Sequence, residues 1–364
     1  MGGALAKLIA GRIEAAGGWL SFEEFMELAL AAPGLGYYAS GRQPLGPRGD
    51  FITAAEASEL FGRCIARWVA AALPPGGAVL ELGGGGGRLI ATVLAELRAQ
   101  ELRPACQLLE TSPALAERQR ARLQEAGLLE QCSWLTELPT EFRGVVLLFE
   151  VCDALPCALY VRRGDAWLRR GVVVDGAGFG WADGPPADED ELAQLAAAPA
   201  VEGYLAEVNR RAQALVASLA DSLAEGAVLI NDYGFAAAEF FHPQRTGGTL
   251  MAHAGHRAGT ELLRDPGGQD LSGHVNFSAL ARRAEEAGLR PAGFCDQANF
   301  LLEMGIAELM RAADDDEVRR YQDSRELQLL LMPQEMGEIF KFLALVRGDG
   351  AVPGFGPRDR GASL

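Results

Sequence analysis

Apolar and polar positions change period several times along the chain, and each change predicts an element. Residues 4 to 31 carry apolar side chains at helical spacing: Leu5, Leu8, Ile9 and Ile13, then Phe22, Phe25, Met26 and Leu28. Ser21 ahead of Glu23 and Glu24 predicts an N-cap for the second segment. Pro33 and Gly34 end that helix, and a loop with several Gly and Pro residues runs on to Glu56. From Ser58 a stripe of Leu60, Ile65, Trp68 and Val69 restores the helix until Pro74-Pro75-Gly76-Gly77. The pattern then switches to short continuous apolar runs at 78–82, 105–110, 133–135, 144–150, 226–234 and 290–295. Such runs mark strands buried on both faces. Helical spacing separates the first of them, so the fold class is α/β, a doubly wound sheet.

The remaining segments do not fit strand–helix alternation. Residues 159 to 174 alternate around Gly164-Asp165, which predicts a β-hairpin. Residues 182–200 read as surface helix or linker, and 204–224 as one long amphipathic helix containing Glu207. A stretch rich in Gly and His covers 242–274, and 353–364 reads as a frayed tail. The expected domains are a helical and lid segment at 1–75 and a core at 76–158 with 225–347. An inserted hairpin and helical region at 159–224 and a tail at 348–364 complete them.

Composition narrows the function. Hydrophobic residues make up 49% of 364, enough for a substantial core. The formal charge of −16 argues against binding nucleic acid through phosphate contacts. Six cysteines without a CxxC pair read as reduced thiols in a cytoplasmic protein. His242, His253 and His256 lack the Cys or carboxylate partners of a zinc site, so no metal is expected. No apolar run is long enough to span a bilayer, so no membrane insertion is expected, and homodimerisation is left open.

The chemistry starts where the first buried strand meets Gly83-Gly84-Gly85-Gly86-Gly87. A dinucleotide fingerprint G-x-G-x-x-G/A fails in every frame, because its last position falls on Arg88, Leu89 or Ile90. A P-loop fails for want of Gly-Lys-Ser/Thr. What fits is Glu81-x-Gly83-x-Gly85-x-Gly87, which resembles the first motif of class I S-adenosylmethionine (SAM) methyltransferases. Glu110 ends the second strand, where Rossmann-like sites grip a ribose diol, and Glu150 and Asp153 follow a central strand, where α/β sheets bind ligands.

Together the motifs resemble the MidA-type SAM-dependent methyltransferases, related to a mitochondrial complex I assembly factor that methylates an arginine. The matching stretches are Gly36-Tyr37-Tyr38, 49–56 with Phe61-Gly62, and Glu81 through Leu89. Glu110-Thr111-Ser112-Pro113 with Gln119, Glu150 with 153–156, Asp232-Tyr233-Gly234, Gly267, Asp270 and 274–277 complete the set. The resemblance implies SAM as cofactor, a class I core with an N-terminal extension and inserted substrate elements, and a protein substrate methylated on an arginine nitrogen. It implies Glu81, Gly83, Gly85, Gly87 and Glu110 at the cofactor, with Asp50, Thr53 and Glu56 closing over it. Glu150 and Asp153 become the catalytic carboxylates, with Glu207 and Asp232 as further partners. The chain departs from the family's Asn-Glu-Phe-Phe-Asp at Phe149, Val151 and Cys152, from its Pro at Gly84 and from its Asp at Asn276. Those departures motivate an alternative, a SAM-binding assembly or interaction protein without turnover.

Overall fold

The computed structural model describes residues 3–40, 53–255, 257–311, 317–348 and 350–364. The chain forms two compact units, the first from 1–51, 153–214 and 235–279, the second from 52–152, 215–234 and 280–364. The stretch 235–279 thus belongs to the unit that holds the hairpin, where the sequence had suggested the core.

Seven strands of an eight-stranded sheet lie in line: β1 (Ala78–Leu82), β2 (Cys106–Leu109), β3 (Cys132–Leu135), β4 (Phe142–Phe149), β5 (Leu223–Phe235), β6 (Arg290–Asp296) and β7 (Phe340–Arg347). Their order is β6-β7-β5-β4-β1-β2-β3. Strands β1 to β5 run parallel, and β7 lies antiparallel to both β5 and β6. Almost every residue of β4 is buried whichever face it points to, as a strand covered on both sides requires. Order reverses between β1 and β4, and ligands of open α/β sheets bind beyond the carboxyl ends of strands at such a point.

Two helices serve the site. The first, α1 (Arg88–Ala99), follows the glycines directly and buries Leu89, Ile90, Val93, Leu94 and Leu97. The second, α2 (Pro113–Glu125), starts with proline at its first turn, where the missing N–H costs no hydrogen bond. Ser58 caps the helix Glu59–Ala72 by accepting the Phe61 N–H, at the position the pattern predicts. The C-terminal segment is docked rather than frayed. Phe355 is buried against Phe300, the Trp68 indole donates to the Pro353 carbonyl, and the Phe294 N–H donates to Asp359.

In the first unit the predicted hairpin is Ala158–Arg163 with Ala166–Asp175, extended by strands Leu20–Ser21, Gly178–Pro186 and Leu205–Val208 into a five-stranded sheet. Ser21 forms a reciprocal capping box with Glu24 ahead of helix Phe22–Ala31. Residues 204–224 are not one helix. Leu205–Val208 pairs with Ala158–Val161, and the Asn209 side chain accepts the Ala212 N–H to start a separate helix, Arg210–Ser222. Glu207 is therefore a strand residue, since the Asn209 cap marks a boundary that helical periodicity alone passes over.

Candidate active site

Strand β1 ends in a loop built of five consecutive glycines. Gly83, Gly85 and Gly87 take φ of +62°, +51° and +77°, a region glycine occupies without steric cost. Between them space is the constraint. A Cβ on Gly84 would collide with the Glu81 carboxylate, and one on Gly86 would stand 2.7 Å from Glu56 Oε1. The family's proline at position 84 is thus incompatible with Glu81 as it lies here, tucked under the loop.

Three carboxylates gather round this loop. Glu81 on β1 is 2% exposed, and burial, then the nearby Glu110 and Glu56, push its carboxyl up to about 8. Its Oε2 is buried and has no hydrogen-bond partner among the described residues. Glu110, just beyond β2, is also raised by burial, but the Ser112 N–H donates to its Oε1 at 2.7 Å and Gln119 Nε2 to its Oε2 at 3.3 Å. Glu56 sits in the short helix Ala54–Ala57, its two oxygens each 3.3 Å from Arg122 Nη1, and its carbonyl accepts from Arg88. Thr53 uses its hydroxyl to accept the Glu56 N–H at 3.1 Å, as a helix cap does. Asp50 lies outside the described residues.

At the carboxyl end of β4, Glu150 has φ +51°, an uncommon conformation for a residue with a side chain. Strand β5 holds it there: the Glu150 N–H donates to the Asn231 carbonyl at 2.9 Å, and the Cys152 N–H donates to Asp232 Oδ2 at 2.9 Å. Asp232 is fully buried, and its Oδ1 accepts the Tyr233 N–H at 2.9 Å. Two departures from the family pattern fall into the interior. Phe149 packs edge-on against Phe61 and Phe342, and Cys152 is completely buried. Val151 lies beside Gly83, so of the three departures at 149–152 it is the one that borders the loop.

The first unit places the other candidates. The Tyr38 hydroxyl, hydrogen-bonded to Asp270, is raised well above its ordinary value by burial and then by the Asp270 and Asp153 carboxylates. The Asp153 carbonyl accepts the Gly273 N–H at 3.0 Å, and the His274 N–H donates to Thr249 Oγ1 at 3.0 Å. Glu207 Oε1 accepts the Thr249 and Leu250 N–H groups at 2.6 and 3.2 Å. Asn276, where the family has Asp, accepts the Ala279 N–H at the start of helix Phe277–Glu286, a task Asn performs as well as Asp. Glu81 and Glu110, expected from spacing, and Glu56, expected from the family resemblance, lie around one loop. Residue spacing missed that Asp232 and Glu207 spend their oxygens on backbone N–H groups, a fact set by turns that no periodicity reports.

Known proteins agree with this geometry. Residues 60–295 match a family of S-adenosyl-L-methionine-dependent methyltransferases. The mitochondrial protein arginine methyltransferase NDUFAF7 of Bos taurus is 30% identical, over 90% of this chain and 80% of its own. The same protein of Danio rerio is 30% identical over 94% and 86%. A COG1565 superfamily member from Burkholderia thailandensis, crystallised with S-adenosyl-homocysteine (SAH), is 40% identical with a TM-score of 0.95, covering 99% and 96% of the two chains. The mitochondrial naming of the curated relatives overturns the cytoplasmic expectation. The six free cysteines on which it rested report a reducing environment and do not identify the compartment. The site fits the cofactor, offering a glycine loop open to close backbone approach and a buried carboxylate oxygen without a hydrogen-bond partner among the described residues. The chain belongs to the S-adenosyl-L-methionine-dependent methyltransferases, enzymes that use SAM as methyl donor.

Proposed function

We propose that this methyltransferase acts on a protein and methylates a guanidino nitrogen of arginine, with Glu150 orienting the guanidinium. The carrying observation is the place of Glu150 at the carboxyl end of the central strand β4, in left-handed backbone held from β5 by Asn231 and Asp232. Strain of this kind costs about 1–3 kcal/mol and persists where the surroundings over-determine it, commonly at functional sites. The naming of relatives at about 30% identity as protein arginine methyltransferases supports the choice of nitrogen.

SAM, when bound, supplies a methyl group activated on a sulfonium. The residues of the second unit divide the remaining work. Glu81 would take the cationic ammonium of the cofactor, Glu110 its ribose hydroxyls, and the open loop would let the backbone approach. Glu56 would add negative charge on the side facing Gly86. An arginine stays protonated near neutral pH, so its nitrogen must be aligned and its charge balanced rather than deprotonated beforehand. A carboxylate at Glu150 does both through charge-assisted hydrogen bonds to the guanidinium N–H groups. Asp232 acts through the 150–152 turn. Asp153, three residues beyond Glu150, is the second acid proposed on the substrate side. Glu207 is assigned the 249–250 backbone.

The test is mass spectrometry of cell lysate incubated with isotope-labelled SAM, with and without the protein. The expected product is methylarginine in one or a few proteins. Glu150→Gln should lower incorporation about 100-fold while SAH binding persists, because misalignment of the nucleophile carries that order of cost. Label on lysine or on small molecules alone would remove the arginine or the protein from this reading.

A further inference from the structure

We propose that Gln119 is a positioning residue for the cofactor, a single amide that joins the glycine loop, β3 and Glu110 and so aims the Glu110 carboxylate. The proposal rests on the reading of Glu110 as the ribose ligand. Gln119 lies on α2 and has no exposed surface. Its Nε2 donates to the Gly85 carbonyl at 3.1 Å and to Glu110 Oε2 at 3.3 Å, and its Oε1 accepts the Trp134 indole N–H at 2.8 Å. An indole N–H can only donate, so Oε1 must face Trp134 and Nε2 must face the two oxygens. The direction of the amide is therefore settled by chemistry.

The consequence falls on Glu110. One carboxylate oxygen is pinned by the Ser112 N–H and the other by Gln119, which fixes the plane of the group. A cis-diol needs both oxygens in one plane to be held by two bonds. The same amide ties down the carbonyl at the middle of the glycine loop, so loop and ribose grip share one reference point. The fit is close: a Cβ on Gly87 would come within 3.1 Å of Gln119 Cα, so α2 reaches the loop because position 87 has no side chain. The Arg120 guanidinium, 4.4 Å from the Trp134 ring centroid, restrains the third partner.

Calorimetric titration of the full chain with SAH and with its 2′,3′-dideoxy analogue tests this. Gln119→Leu should weaken SAH binding about 10- to 100-fold, the scale of a lost hydrogen bond to a charged group. The dideoxy analogue should lose several-fold less than SAH on the same substitution, because it keeps the loop contact but has no diol for Glu110 to grip. In a Glu110→Gln background, Gln119→Leu should cost clearly less than it does in wild type, since the residue it positions is already disabled. Gln119→Glu keeps the acceptor for Trp134 but loses both donations, and it should reproduce the loss if the leucine variant does not fold. Equal losses for SAH and the analogue, or losses that add in the double variant, would reduce Gln119 to packing and overturn the proposal. Wild-type affinity in Glu110→Gln would instead remove the ribose reading, and this inference with it.

Discussion

Glu81 in the second unit and Glu207 in the first look alike by burial and differ in what their oxygens do. Both are almost completely buried, and in both burial pushes the carboxyl above its ordinary range. Glu207 spends Oε1 on two backbone N–H groups, at 2.6 and 3.2 Å, and the same bonds pull its carboxyl back down. Glu81 leaves Oε2 without a partner among the described residues and is raised further by Glu110 and Glu56. An unmade hydrogen bond on a buried carboxylate is costly. Glu207 therefore reads as a staple for the chain at 249–250, and Glu81 as a group kept for a cationic ligand. A perturbed carboxyl alone does not separate the two; the unused oxygen does.

The largest effect should follow from removing the staple. Glu207→Ala orphans two buried N–H groups and leaves a void, and should cost about 3–5 kcal/mol of stability. Chemical denaturation would read the loss, and SAH affinity at the folded baseline should stay near wild type. A variant of wild-type stability that fails to bind SAH would reverse the assignment of the two glutamates.

The next effect is on Glu81, and its sign follows from the direction of the shift. A carboxyl raised to about 8 from an ordinary 4.5 favours the folded state fully below pH 4.5, and that contribution is lost as pH rises through 8. Glu81→Gln should therefore stabilise the ligand-free protein at pH 8 relative to wild type, by roughly 4 kcal/mol, with much less difference at pH 5. The same variant should bind SAM at least about tenfold more weakly at pH 8, where the wild-type carboxylate is charged and can pair with the ammonium. Wild type should release a proton on binding near pH 7, seen as a dependence of binding heat on buffer ionisation enthalpy, and the variant should not.

Why Glu81 was legible and Glu207 was not comes down to range. The acid-then-glycines order at 81–87 is local, so the strand, the turn and the cofactor class follow from adjacent residues. Glu110 and Glu150 follow from the same logic, each standing where a buried apolar run ends. Glu207 depends on partners 42 and 43 positions away, and its strand pairs with Ala158–Val161 across the chain. Helical spacing at 204–224 is compatible with a strand, an Asn cap and a shorter helix. The docked C-terminus shows the same limit, because Phe355 is held by Phe300, and neither residue signals the other in one dimension. Gln119 entered only as part of a family resemblance; that its amide has three partners is a fact of packing.

The smallest predicted effect asks whether backbone strain separates function from structure as the unused oxygen does. Glu150 shares positive φ with Glu101, Glu141 and Asp265, so a left-handed acid is not by itself a catalytic mark. Glu141 is exposed just ahead of β4, and Glu150 is half-buried at its other end, so one strand carries both cases. A left-handed residue with a Cβ costs about 1–2 kcal/mol, against the 0.5–1 kcal/mol that glycine adds through chain entropy. Replacement by glycine should then stabilise either position by at most about 1.5 kcal/mol. Glu141→Gly should do so with methyl transfer intact. Glu150→Gly should gain the same small stability and lose transfer, because the strain is relieved by discarding the carboxylate it presents. If Glu150→Gly is destabilised instead, the side chain supports the turn, and Glu150 joins Glu207 on the structural side of the comparison.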